Sequence, residues 1–176
     1  MACTLNTGRK LPCKSAFGGI KTVWFGDFGG ITGVTVDSAT KQVTTITGTQ
    51  PDWYQFDVKG NSSLETTVTS SRENGTTFYT QTLNLTLTYL EAQTQAELQQ
   101  IAVARPYVVV EDYYGNQFLC GLENGMEFVS GTVVSGAAAG DLSGFTLVME
   151  GMEELAPYFL DSTVVPTASA VVIVPN

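Results

Sequence analysis

The sequence predicts a mainly β protein, a β-barrel or sandwich of antiparallel strands with one flanking α-helix and extended terminal arms. Three observations predict it. Short segments with apolar residues at every second position recur along most of the chain, separated by turn-forming residues. Two Thr-rich runs over 63–88 are joined by Glu73-Asn74-Gly75-Thr76, and Asn-Gly is a strong hairpin signal. One stretch alone, 90–104, carries helical spacing. At 176 residues and 43% hydrophobic content, the chain is long enough for one cored domain with arms.

Residues 1–19 read as a basic N-terminal arm, 20–155 as the β domain, and 156–176 as a C-terminal extended arm. Segment 20–27 (IKTVWFGD) is a strand ending at an FGG turn. Segments 31–37 and 42–48 flank Asp37-Ser38-Ala39-Thr40 and read as a hairpin. In 53–59, Trp53, Gln55 and Asp57 alternate with Tyr54, Phe56 and Val58, the pattern of a half-buried strand. Asn74-Gly75 predicts a two-residue type I′ turn. On the strand that follows, Tyr79, Leu83, Leu85 and Leu87 share one face, while Thr80, Thr82, Asn84, Thr86 and Thr88 share the other.

The helix over 90–104 places Leu90, Leu98, Ile101 and Ala102 in a stripe, with capping boxes available at Thr88/Glu91 and Thr94/Glu97. Arg105-Pro106 stops it. Strands 107–112, 117–123, 126–134 and 144–150 follow, with a small-residue loop at 135–140. An apolar strand, Ala170–Val174, closes the chain and either completes its own sheet or adds to a neighbour's.

Charge is sparse and segregated. Charged residues are 14% of the chain, 17 acidic against 8 basic, with no histidine and a net charge of -9. Met1 to Lys21 carries +4 from Arg9, Lys10, Lys14 and Lys21, the remainder carries -13, and no Lys or Arg follows Arg105. The absence of histidine excludes Ser-His-Asp and Cys-His nucleophiles and histidine-ligated metals. Scattered cations disfavour a nucleic-acid-binding surface. The arm is either a solvated tail or a segment that docks on the acidic body of another copy. Cys3, Cys13 and Cys120 form no CxxC pair, and Cys120 reads as a small core residue. A Cys3–Cys13 bridge is one alternative for the other two, and reduced thiols are the other. No signal-peptide core and no membrane-length apolar run is present, so a soluble protein made in the cytosol is expected.

Short motifs carry no function. Asp27-Phe28-Gly29 lacks the other kinase elements. Gly30-Ile31-Thr32-Gly33 lacks the strand–helix context of a dinucleotide fingerprint. Asp37-Ser38 has no second aspartate to share a proton. The sequons at Asn61, Asn74 and Asn84 are common in a Thr-rich chain, and Glu111-Asp112 and Glu153-Glu154 read as solvated turn carboxylates. Trp24, Trp53, Tyr54, Tyr113 and Tyr114 are core residues or a sugar-stacking platform.

The opening Ala2-Cys3-Thr4-Leu5-Asn6-Thr7-Gly8-Arg9, with Pro12-Cys13-Lys14 and Gly18-Gly19-Ile20-Lys21, resembles small virion proteins of tailed bacteriophages. Ser71-Arg72-Glu73-Asn74-Gly75-Thr76, Val110-Glu111-Asp112 and Gly140-Asp141-Leu142-Ser143-Gly144-Phe145 share that resemblance. The order of elements over 17–160 is similar to the phage tail tube (major tail) protein family. The resemblance implies a non-catalytic, cofactor-free subunit of the virion tail, assembled in the host cytoplasm into stacked hexameric rings. Its partners would be identical subunits and other tail or connector proteins, with DNA passing through the lumen without specific binding. Subunit contacts are then expected from Arg9, Lys10, Lys14, Lys21, Arg72, Asn74, Gly75, Tyr79, Leu83, Leu85, Leu87, Val171, Val172 and Ile173. Alternatives are another virion ring or decoration protein (connector, tail terminator, head decoration) and a carbohydrate-binding β-sandwich.

Overall fold

The computed structural model describes residues 17–49, 51–58, 60–164 and 168–171, the last four by their backbone. Twelve strands and one helix follow in order: β1 (Ile20–Gly26), β2 (Ile31–Val36), β3 (Val43–Gly48), β4 (Trp53–Asp57), β5 (Ser63–Ser71), β6 (Thr76–Thr88), α1 (Ala92–Ile101), β7 (Tyr107–Asp112), β8 (Gln117–Cys120), β9 (Glu127–Val134), β10 (Gly144–Glu153), β11 (Tyr158–Leu160) and β12 (Ala168–Val171). They form an eight-stranded sheet, β12-β4-β1-β7-β8-β11-β3-β2, and a four-stranded sheet, β5-β6-β10-β9. Pairing is antiparallel except β11 with β3 and β12 with β4. The result is the mainly β sandwich with one flanking helix that the sequence predicts, and its barrel is not closed.

Strand alternation sorts side chains into two cores. On β1, β7 and β8, Val23, Phe25, Val108, Val110 and Cys120 face the four-stranded sheet, where they meet Leu83, Leu85, Leu87, Phe145, Leu147 and Met149. The intervening Trp24, Tyr107, Val109 and Leu119 face the other way and cluster with Val43, Trp53 and Leu160. This second cluster spans six consecutive strands of the sheet, from β4 to β3. Central strands buried on both faces explain the apolar run Tyr107–Val110. Leu98 and Ile101 of α1 pack on the first core, although no residue of the helix is fully buried.

Local details depart from expectation in two places. The β5–β6 loop has four residues, 72–75, because Ser71 pairs with Thr76. Gly75 alone in that loop takes a positive φ, +64°, so the two-residue type I′ geometry, which needs two such residues, is not formed. Neither capping box forms. Glu91 is the N-cap residue without a side-chain cap, Leu90 stays exposed, and the Thr94 hydroxyl donates to the Glu91 carboxylate at 3.2 Å.

Candidate assembly surface

The four-stranded sheet has one face against the core and one turned away, and register assigns each side chain to a face. Ser63 lies opposite Asn84, Asn84 opposite Val148, and Val148 opposite Ser130. One line further, Thr86, Thr146 and Thr132 stand side by side, and the hydroxyls of Thr132 and Thr146 are hydrogen-bonded. In the other direction, Glu65 pairs with Thr82, Thr82 with Glu150, and Glu150 with Glu127. The outward face therefore carries hydroxyls and amides, with Val134, Val148 and the exposed Met152 among them, and is crossed by a row of carboxylates. None of its four strands contains a Lys or Arg. Like charges directly opposite one another on a sheet are unfavourable, so the Glu127–Glu150 pair opposes folding.

The two edges of this sheet, β5 and β9, have no strand neighbour among the described residues. Both are largely exposed, with Val68 at 56%, Val129 at 55% and Val133 at 61%. A cleft of about 530 Å³ opens beside β5, lined by Ile20, Leu64, Val110, Phe118 and Phe159. A second, about 200 Å³, lies beside β9 between α1 and the sheet, lined by Leu98, Phe128, Val133, Phe145 and Leu147.

On the core side, two buried polar groups hold the turn between β8 and β9. The Gln81 Oε1 accepts the Gly121 N–H at 3.1 Å. The Glu153 carboxylate accepts the N–H groups of Glu123 and Asn124 at 3.0 Å. Burial pushes the Glu153 carboxyl above its ordinary range, the two N–H donors pull it back in part, and Glu123 pushes it up again. Burial first, then Glu123, Glu153 and Glu154, raise the Tyr158 hydroxyl. Cys120 is fully buried and its thiol is raised by desolvation and by Glu153, which leaves it inert.

The expected contact residues have different surroundings. Arg72, Asn74 and Gly75 are exposed at the β5–β6 tip. Lys21 is exposed but paired with Glu111 at 3.2 Å, so it is engaged within its own subunit. Tyr79 is half-buried. Leu83, Leu85 and Leu87 are corrected to core residues, 0%, 2% and 7% exposed, because the eight-stranded sheet covers the face they occupy. Val171 pairs through its backbone with Gln55. Arg9, Lys10, Lys14, Val172 and Ile173 lie outside the described residues, as do Cys3 and Cys13.

Trp24 and Trp53 are buried in the second core, so neither belongs to a sugar-stacking platform. Tyr54, Tyr113 and Tyr114 remain exposed. Sequence reading missed the carboxylate row and the Gln81 and Glu153 contacts, since each depends on register between distant strands. Among the described residues, no group of three or more His, Cys, Asp or Glu side chains is placed to hold a metal ion, and no helix is long and apolar enough to cross a membrane. No family model matches the chain, and no curated protein or solved structure matches it either.

Proposed function

We propose that this protein is a structural subunit of a virion tail tube, assembling into stacked hexameric rings around a lumen through which DNA passes unbound. Its work is geometric: it holds neighbours in register and presents a passive wall. The observation that carries the reading is the four-stranded sheet, which combines two edges unpaired among the described residues with an outward face that bears hydroxyls and carboxylates and no cation on any strand.

A conduit for a polyanion needs few phosphate contacts, because each Lys or Arg on the wall would add counterion-release affinity and retard movement. Six sheets joined edge to edge would make a barrel of roughly 24 strands; at about 4.8 Å between strands and a tilt of about 35°, its backbone diameter is about 45 Å. That leaves room for a duplex after side chains are counted. The +4 arm against a -13 body supplies complementary charge for docking one copy, or one ring, on the next.

Electron microscopy of the full-length protein, alone and with the other tail proteins, tests the reading through the appearance of rings or tubes. A chain that stays monomeric under both conditions overturns it. Reversing Arg9, Lys10 and Lys14 to Glu should block stacking while the circular dichroism spectrum stays unchanged, and intact stacking would remove the role of the arm.

A further inference from the structure

Long exposed strand edges are an aggregation hazard unless something covers them. Here the four-stranded sheet has two such edges among the described residues, β5 and β9, and they are complementary to each other. We propose that β5 of one copy pairs antiparallel with β9 of a second copy in a single register, with Leu64 opposite Val133 and Thr67 opposite Ser130. The inference rests on the tube reading and specifies the seam between its subunits.

Direction comes first. Every pair in the sheet is antiparallel, so the edge strands β5 and β9 of one sheet run in opposite directions. A rotation that builds a ring preserves strand direction along its axis, so β5 of one copy meets an antiparallel β9 on the next. The sheet continues its own pattern without a parallel join.

Face parity restricts the register. Leu64, Thr66 and Val68 share the core-facing side with Phe128, Gly131 and Val133, which follows from their pairing through β6 and β10. A slip of one residue would turn every side chain to the wrong face, so only alternate registers are open.

In the proposed register, Val134 meets Ser63, Val133 meets Leu64, Thr132 meets Glu65, Gly131 meets Thr66, and Ser130 meets Thr67. Val129 sits at the irregularity in the β9–β10 pairing. Past it, Phe128 meets Val68 and Glu127 meets Thr69. All of β9 is used, apolar residues face apolar residues at two places, and each glutamate faces a threonine. Moving two residues one way sets Gly131 against Leu64 and leaves Val133 opposite Ser62. Moving two the other way sets Gly131 against Val68 and Val134 against Glu65. Both alternatives lose the apolar pairs.

Barrel geometry agrees with this register and excludes one of its two neighbours. A level line across one sheet runs Ser63–Asn84–Val148–Ser130. In the proposed seam Ser130 meets Thr67, so the line climbs four residues along β5 with each subunit. Four residues at about 3.3 Å against four strands at about 4.8 Å give a tilt of about 35°, inside the range of closed barrels. The neighbouring registers give about 19°, outside that range, and about 46°, at its upper limit, where the loss of the apolar pairs decides against it. A climb of the opposite sign leaves the two strands without overlap.

Each of these edges is flanked by an apolar cleft. The one beside β5 and the one beside β9 both open from the core side of the sheet, at its opposite edges. Joining the edges sets one cleft against the other, and the apolar core continues from subunit to subunit.

Disulfide trapping tests the register in the full chain carrying Cys3→Ser and Cys13→Ser. Glu65→Cys with Thr132→Cys places thiols directly opposite across the seam, at the Cα separation of about 4.5–5.5 Å that a disulfide accepts. Within one copy the two positions lie on opposite edges of the sheet and cannot bridge. Mild oxidation should give a covalent ladder, formed at least about tenfold faster than with Ser63→Cys/Thr132→Cys or Thr67→Cys/Thr132→Cys. A faster ladder from either shifted pair overturns the register. Rings in micrographs with no ladder from any pair overturn the seam and leave the tube reading standing. Absence of rings and ladders together overturns both.

Discussion

Gln81 and Gly121 are hydrogen-bonded across the gap between the two sheets: the Gln81 Oε1 accepts the Gly121 N–H at 3.1 Å, and the Gln81 Nε2 donates to the Leu155 carbonyl at 3.4 Å. Gln81 is 1% exposed and Gly121 is buried, so the Gly121 N–H has no water to turn to when the side chain is lost. Gln81→Leu should therefore cost about 2 kcal/mol, since it strands a buried donor while adding little apolar gain. Urea unfolding of the two proteins measures it. A loss under about 0.5 kcal/mol would mean that the turn finds other partners.

The turn held by Gln81 also needs its glycines. Gly125 has φ +78°, and a Cβ there would stand 2.7 Å from the Arg105 carbonyl oxygen. Gly75 at the hairpin tip has φ +64° and open space around it. Gly75→Ala should cost about 1 kcal/mol, the backbone strain alone, and Gly125→Ala at least about twice that, because strain and collision add. Thermal unfolding of both variants gives the comparison, and equal losses would contradict the close approach at Gly125.

Much of this fold is legible in the sequence because alternation is local. The parity of β6 follows from reading every second residue, and the burial of Leu83, Leu85 and Leu87 agrees with it. What covers an apolar face is not local, which is why these three leucines read as subunit contacts when the eight-stranded sheet of the same chain covers them. Gln81 sits on that same apolar face, and the distant Gly121 N–H and Leu155 carbonyl explain a polar side chain there. The carboxylate row is hidden for the same reason: Glu65, Glu127 and Glu150 come from three strands, and register alone lines them up. The hairpin signal located the β5–β6 connection, but pairing of Ser71 with Thr76 set its length.

The two faces of β6 should respond differently to truncation. Leu85→Ala removes a fully packed side chain and should cost about 3 kcal/mol. Thr82→Ala on the outward face should change stability by less than about 0.5 kcal/mol. Chemical denaturation of the monomeric fraction separates the two, and a neutral Leu85→Ala would return that residue to the list of subunit contacts.

Glu153 gives the protein a definite pH response. Its native carboxyl lies above the ordinary value of 4.5 because burial outweighs the donated N–H groups, with Glu123 adding to the rise. Between the ordinary and the raised value, the native state keeps a proton that the unfolded chain has released, so stability falls as pH rises through that window. Asp161 and Asp141 act oppositely. Backbone N–H groups of Thr163, and of Ala138 and Ala137, hold them below 3.8, and their contribution is lost as pH falls. Glu153→Gln should flatten the decline on the high side of 4.5 and leave the acid limb unchanged, as read from melting temperatures between pH 3 and pH 7. An unaltered decline would assign it to another group.

The carboxylate row makes the sharpest test of the wall. If the outward face of the four-stranded sheet lines a passage for DNA, its function is to offer phosphates nothing to hold. Glu65→Lys, Glu127→Lys and Glu150→Lys together reverse the row without touching the core, because all three side chains lie on the outward face. Assembled wild-type protein should leave duplex DNA unbound at about 50 mM salt. The triple variant should retain it, with log affinity falling linearly against log salt by about 0.9 for each phosphate neutralised. Salt dependence separates lumen binding from apolar adsorption, which salt does not weaken. An assembled triple variant that still ignores DNA would show that this face looks away from the passage.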